Sequence, residues 1–187
     1  MMAPSMAKTR YVALLRGINV GGNNLIKMPA LKACFEAQGL DDVVTYIASG
    51  NVVFTAAEPS VEKLARLIQG GISETFSCTT IAVLRSGKQM KDIVARAPKG
   101  FGTQPERFRY DVIFLAPGLT AAAALKSVPL NPEVDVVHAG TGVLYFSRLI
   151  AQATKSRLGK IVGTPIYKSL TIRNWNTTSA LARLTAS

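Results

Sequence analysis

Val43-Val44-Thr45-Tyr46-Ile47-Ala48-Ser49-Gly50-Asn51-Val52-Val53-Phe54-Thr55 holds two apolar runs joined at a Gly-Asn pair, the composition of a β-hairpin. Val43 to Ser49 and Val52 to Thr55 therefore read as paired strands. Before the hairpin, Tyr11 to Leu15 is another strand, and Pro29 to Gln38 a helix with proline in its first turn and Gly39 just past its end. After it, Val61, Leu64, Ala65 and Ile68 recur at helical spacing, and Ile81 to Leu84 closes the set as a fourth strand. The order is β-α-β-β-α-β, the split-βαβ or ferredoxin-like arrangement, in which two helices cover one face of a four-stranded sheet.

The second half reads the same way. Tyr110 to Leu115 is a strand and Thr120 to Val128 a short alanine-rich helix. Val134 to Ala139 and Val143 to Phe146 form a hairpin around Gly140-Thr141-Gly142. A helix through Ser156, Leu158 and Ile161 comes next, then a strand at Leu170 to Arg173 and a terminal helix. The fold class is α+β: two tandem ferredoxin-like halves with a C-terminal helix. The first half covers residues 8–85 and the second, with that helix, 109–187; residues 86–108 supply a connecting helix (Ser86 to Ala97) and a basic, glycine-containing linker.

Ala48-Ser49-Gly50-Asn51-Val52 and Ala139-Gly140-Thr141-Gly142-Val143 stand 91 residues apart, whereas Tyr11 and Tyr110 stand 99 apart. The first copy is thus eight residues longer between its first strand and its hairpin. The surplus falls in the loop Gly17 to Asn24, where the second copy has only Ala116-Pro117-Gly118-Leu119. A long insertion at one junction marks either a functional loop or a tolerated excursion.

The 187 residues, 48% hydrophobic, suffice for a sizeable core. The first residues lack a secretory apolar region and no apolar run reaches membrane-spanning length, so a cytoplasmic protein that does not engage membranes is expected. Cys34 and Cys78 show no paired spacing, and Cys34 shares a helix face with Leu31, Phe35 and Gln38. The net charge of +11 is concentrated after residue 85, where 14 Lys and Arg face 5 Asp and Glu. Such a surplus attracts phosphate-bearing partners through long-range fields.

The inserted loop is the candidate site. Arg16 stands at a strand end, Gly21 and Gly22 free backbone amides, Asn19 and Asn23 add side-chain donors, and Lys27 precedes the helix. No Gly-Lys-Ser/Thr closes the loop, and its glycine spacing is not a dinucleotide fingerprint. Ser49 and Asn51 of the hairpin, and Arg173 and Asn174 before the last helix, complete the ligand set. The competing structural reading is that asparagines and glycines satisfy an awkward turn, that Arg16 pairs with a carboxylate, and that Asn174 or Asn176 caps the last helix with Trp175 folded onto its first turn.

Other chemistry is sparse. One histidine, His138, and two cysteines provide no metal-ligand spacing, no motif names a cofactor, and no nucleophile stands beside a general base in the sequence. Lys99-Gly100-Phe101-Gly102 opens like an RNA-recognition motif but continues without the apolar residues that motif needs, so nucleic acid is the weaker candidate partner. Lys155, Arg157, Lys160 and Lys168 could equally bind phosphates or form a solvated face. The leading expectation is a binding module for a small anionic or phosphorylated ligand at the first strand-helix loop. A protein-interaction or structural role, and an enzyme acting on a phosphorylated or nucleotide-like substrate, are the alternatives.

Three stretches carry a family resemblance. Tyr11 to Gly22, Thr45 to Phe54 and Thr171-Ile172-Arg173-Asn174-Trp175-Asn176-Thr177 are similar to signature blocks of the bacterial "domain of unknown function 1697" family, in the family's order and across nearly the whole chain. The resemblance implies an α+β protein of two ferredoxin-like halves with no assigned activity, hence no catalytic residues to carry over. At Ala48, where that pattern usually has glutamine, this chain has a methyl group.

Overall fold

The computed structural model describes residues 7–22 and 25–186. Of these, residues 7–22, 25–90 and 181–186 form one compact unit and residues 91–180 a second.

The first unit runs β1 (Thr9–Arg16), α1 (Met28–Ala37), β2 (Asp41–Tyr46), β3 (Asn51–Ala56), α2 (Val61–Phe76) and β4 (Ile81–Ser86). The strands pair antiparallel in the order β2-β3-β1-β4, the arrangement expected of a split-βαβ unit. Strand alternation sends Tyr11, Ala13 and Leu15 toward the helices, where they join Val52, Phe54, Leu31, Phe35, Leu64, Ile68 and Ile72 in one buried cluster. Phe54 is its hub, with ring centroids 5.8 Å from Tyr11 and 5.7 Å from Phe35. α2 forms because Leu64, Ile68 and Ile72 repeat every four residues on its buried face and Ser60 caps it, its hydroxyl accepting the Lys63 N–H at 3.3 Å. α1 carries proline in its first turn and stops before Gly39, at φ 77°.

α3 (Gly87–Ala95) leads into the second unit, which contains β5 (Phe108–Leu115), α4 (Ala121–Ser127), β6 (Asp135–Gly140), β7 (Val143–Leu149), β8 (Leu170–Asn174) and the start of α5 (Trp175–Leu184). Its antiparallel sheet has the order β6-β7-β5-β8, the same as the first. Ile113, Leu115, Leu144 and Phe146 pack with Ala124, Leu158, Ile161 and Leu170. One element differs from expectation. The α-helix expected through Ser156, Leu158 and Ile161 is replaced by three short 3-10 turns over residues 150–155, 158–163 and 165–169. Only Leu158 and Ile161 bury there, too few for a helical stripe, while Gly159, Gly163 and Pro165 interrupt the backbone.

Strand register fixes how the copies correspond. Val12 lies opposite Arg85 and Val53, and Val112 opposite Arg173 and Tyr145. Likewise the Leu15 N–H donates to the Gly50 carbonyl at 2.8 Å and the Leu115 N–H to the Gly142 carbonyl at 3.0 Å. Val12 therefore corresponds to Val112 and Gly50 to Gly142, so the offsets are 100 and 92, each one residue longer than sequence comparison gives. Their difference, eight residues, is unchanged. The connection between β1 and α1 takes eleven residues, 17–27, against five, 116–120, between β5 and α4, so most of the surplus lies in the first loop.

Candidate functional site

The first loop leaves β1 at Arg16, whose carbonyl accepts the Thr80 hydroxyl at 2.8 Å. Asn19, at φ 53°, braces the remainder of the loop. Its Nδ2 donates to the Ile26 carbonyl at 3.0 Å and the Ala48 carbonyl at 3.1 Å, while its Oδ1 accepts the Ile26 N–H at 2.7 Å. One carboxamide thus ties the two ends of the loop to each other and to the β2–β3 turn. Ile18 is buried beneath, and Gly21 and Gly22 are exposed at φ 59° and 78°. Asn23, the remaining member of the expected set, lies outside the described residues, as does Asn24. Lys27 is the N-cap of α1 and makes no side-chain capping bond.

The β2–β3 turn belongs to the same construction. Asn51 is fully buried, and its Nδ2 donates to the Tyr46 carbonyl at 3.1 Å and the Ser49 hydroxyl at 2.8 Å. Gly50, at φ 74°, lets the turn close on the loop: a Cβ there would sit 3.0 Å from Leu15 Cβ and 3.1 Å from the Ile18 side chain. The hydrogen bonds of Asn19, Ser49 and Asn51 therefore brace this end of the first sheet. Around it Val20, Leu25 and Ile47 are 64%, 76% and 51% exposed.

Arg173 and Asn174 lie in the second unit. Arg173 is buried, and its Nη1 donates to Thr171 Oγ1 at 2.8 Å and to the Ile172 carbonyl at 2.9 Å. Arg85, its counterpart in the first unit, is buried too and donates to the Leu84 carbonyl at 2.7 Å. Burial pushes each guanidinium down to about 10. Asn174 caps α5, its Oδ1 accepting the Thr177 N–H at 2.8 Å. Trp175 stands edge-on to Phe101, ring centroids 5.2 Å apart. The Lys99-Gly100-Phe101-Gly102 segment is a tight turn, both glycines at positive φ, that delivers Phe101 against Tyr110, Tyr145 and Trp175.

Beside that turn is a feature the sequence reading missed. A cavity of about 300 Å³ is lined by Arg109, Asp111, Arg148, Asn174 and Trp175, among others. Arg109 and Arg148 are cross-strand partners, and Arg148 Nη2 lies 3.7 Å from Asp111 Oδ2. Burial raises the Asp111 carboxyl above the usual range, opposed first by Arg148 and then by Arg109. The signal was present in β5: positions 109 and 111 share the face that Ile113 and Leu115 bury, and both are charged.

Among the described residues no three of His, Cys, Asp and Glu gather to hold a metal, and no helix is long and apolar enough to cross a membrane. Cys34 and Cys78 are free, buried thiols; Cys34 Sγ lies 3.6 Å from Thr75 Oγ1. His138 is exposed on β6, opposite Tyr145.

Fold and surroundings define an α+β protein in two halves, each built on a four-stranded antiparallel sheet. The chain belongs to the family described as "Protein of unknown function (DUF1697)", whose model matches residues 8–145. It is similar to a solved structure, that of the conserved bacterial protein SP0830 from Streptococcus pneumoniae, with 26% sequence identity and a TM-score of 0.81 over 97% of this chain and 100% of that one. No curated protein matches the chain.

Proposed function

We propose that this chain is a cytosolic binding module for a small anionic ligand held at the first strand-helix loop. The observation that carries the reading is the Asn19 brace, which ties Ile26 and Ala48 to Asn19 beside the exposed Gly21 and Gly22 before any ligand arrives. Preorganisation lowers the ordering cost of binding. Arg16 at the strand end and Lys27 at the start of α1 bring cationic side chains to the ends of the same loop, and the first-turn amides of α1 have no acidic neighbour and no side-chain cap from Lys27. Two free thiols suit a reducing compartment.

The test is calorimetric titration of the wild type and Arg16→Ala with a panel of phosphate monoesters, alongside thermal melts. A charge-assisted contact of about 1.5–3 kcal/mol corresponds to roughly ten- to hundredfold in affinity. The expected result is that loss in the variant with the fold intact. Absence of wild-type binding, with a strongly destabilised variant, would overturn the reading.

A specific observation favours a second reading, protein interaction. Val20, Leu25 and Ile47 expose apolar side chains around the same braced loop. Replacing all three with serine would leave anion binding unchanged but abolish association with a partner protein.

A further inference from the structure

The cavity of the second unit contains an electrostatic arrangement that its own side chains leave incomplete. Arg109 and Arg148 face each other across β5 and β7, a like-charge pairing that is unfavourable unless something negative lies between them. Asp111 supplies part of that charge, but its Oδ2 is 3.7 Å from Arg148 Nη2, too far for a hydrogen bond. Both Asp111 Oδ2 and Arg148 Nε are buried without any hydrogen-bond partner. Asp135, opposite Arg148 on β6, is engaged through one oxygen only, its Oδ2 accepting the N–H groups of Asn131 and Arg157, each at 2.9 Å, while its Oδ1 is buried without a hydrogen-bond partner. Buried polar atoms in folded proteins are nearly always satisfied, so the orphaned donor Arg148 Nε beside a cavity points to an absent acceptor.

The other wall is aromatic. Trp175 and Tyr110 line the cavity, and Phe101 packs edge-on against both. Gly102 makes this wall possible: it sits at φ 82°, and a Cβ there would collide with the Trp175 indole. Asn174 and Asn176 also line it. A volume of about 300 Å³ lies at the lower end of the range for small-molecule sites.

We infer that this cavity is a binding site for a small molecule that joins an oxyanion, phosphate or carboxylate, to a planar ring. The oxyanion lies between Arg109 and Arg148, offsetting their mutual repulsion, and the ring lies against Trp175. This inference is independent of the first-loop reading, since every residue it uses lies in the second unit.

Trp175 is the only tryptophan in the chain, so its emission reports this cavity alone. The experiment titrates the intact protein at fixed ionic strength with adenosine monophosphate, benzoate and inorganic phosphate, tracking Trp175 fluorescence and calorimetric heat. A saturable emission change is expected with one or both of the first two probes and a much weaker one with inorganic phosphate, and the productive probe distinguishes phosphate from carboxylate. Arg109→Gln, an exposed position, should weaken binding roughly ten- to hundredfold, Arg148→Lys should restore less than half of the loss seen in Arg148→Met, and Arg16→Ala should change nothing. The inference is overturned if the wild type gives neither heat nor an emission change with either ring-bearing probe up to millimolar concentration. It is also overturned if Arg109→Gln binds as the wild type does. Loss of binding in Arg16→Ala with retention in Arg109→Gln would assign the ligand to the first loop instead.

Discussion

Among the described residues of the first loop, Asn19 carries more of the local structure through its side chain than any other. Its carboxamide satisfies both backbone groups of Ile26 and the carbonyl of Ala48, in a left-handed backbone conformation that asparagine tolerates better than most residues. Asn19→Ala removes three hydrogen bonds and retains the strained backbone, so a loss of about 1–3 kcal/mol is expected in urea unfolding, more than an exposed surface substitution causes. Gly50→Ala should cost about 3 kcal/mol or more, because its Cβ combines a positive φ with contact against Leu15 and Ile18. Asp111 makes a prediction of a different kind. Its folded pKa is raised, chiefly by burial, so its contribution favours folding below the unfolded value and fades as pH rises through the folded one. Thermal melts of Asp111→Asn against wild type between about pH 4 and pH 7 should show the variant gaining relative stability as pH rises, and a pH-independent difference would contradict this. Little of this was legible in the chain. That loop asparagines serve the backbone is a consequence of their chemistry, but which carbonyls Asn19 meets depends on bringing residue 48 beside residue 19, a tertiary fact.

Among elements, the strands and all five α-helices were legible in the sequence, because Leu64, Ile68 and Ile72 on α2 or Tyr11, Ala13 and Leu15 on β1 repeat with the period of the structure they form. It failed at residues 150–169, where two apolar residues three apart fit a 3-10 turn as well as an α-helix and the glycines and Pro165 decide. Repeat alignment slipped by one residue because similar small residues surround both hairpins, and only register, with Arg85 and Arg173 each beside the equivalent valine, resolves it. Amide hydrogen exchange should therefore be faster across residues 150–169 than across α2, since short 3-10 turns with few buried side chains open locally at low cost. Arg173→Met should destabilise by about 1.5–3 kcal/mol, because it deprives the buried Thr171 hydroxyl and the Ile172 carbonyl of a charged donor. The charged cavity of the second unit escaped the sequence reading because Arg109 and Arg148 lie 39 positions apart and meet only through the β5–β7 register.

Across the whole chain the excess of eleven positive charges leads to a prediction about polyanions. Retention on a heparin column should fall steeply with salt, with a slope of about 0.7–0.9 per neutralised phosphate in a matching single- or double-strand titration; retention equal to that of a neutral protein would show the charges to be merely solvated. The first unit also has an ordering constraint of its own. It includes residues 181–186: Leu181 is buried, Arg10 Nε donates to the Leu184 carbonyl at 3.4 Å across 174 positions of chain, and Gly87 lies against the Thr185 carbonyl. During synthesis on the ribosome, β1 to β4 emerge some ninety residues before the segment from Leu181 on that packs with them. The first unit is thus completed only after the second has been made, and a nascent chain halted after Met90 waits in a less stable form, open to proteases and chaperones, until the segment from Leu181 on arrives.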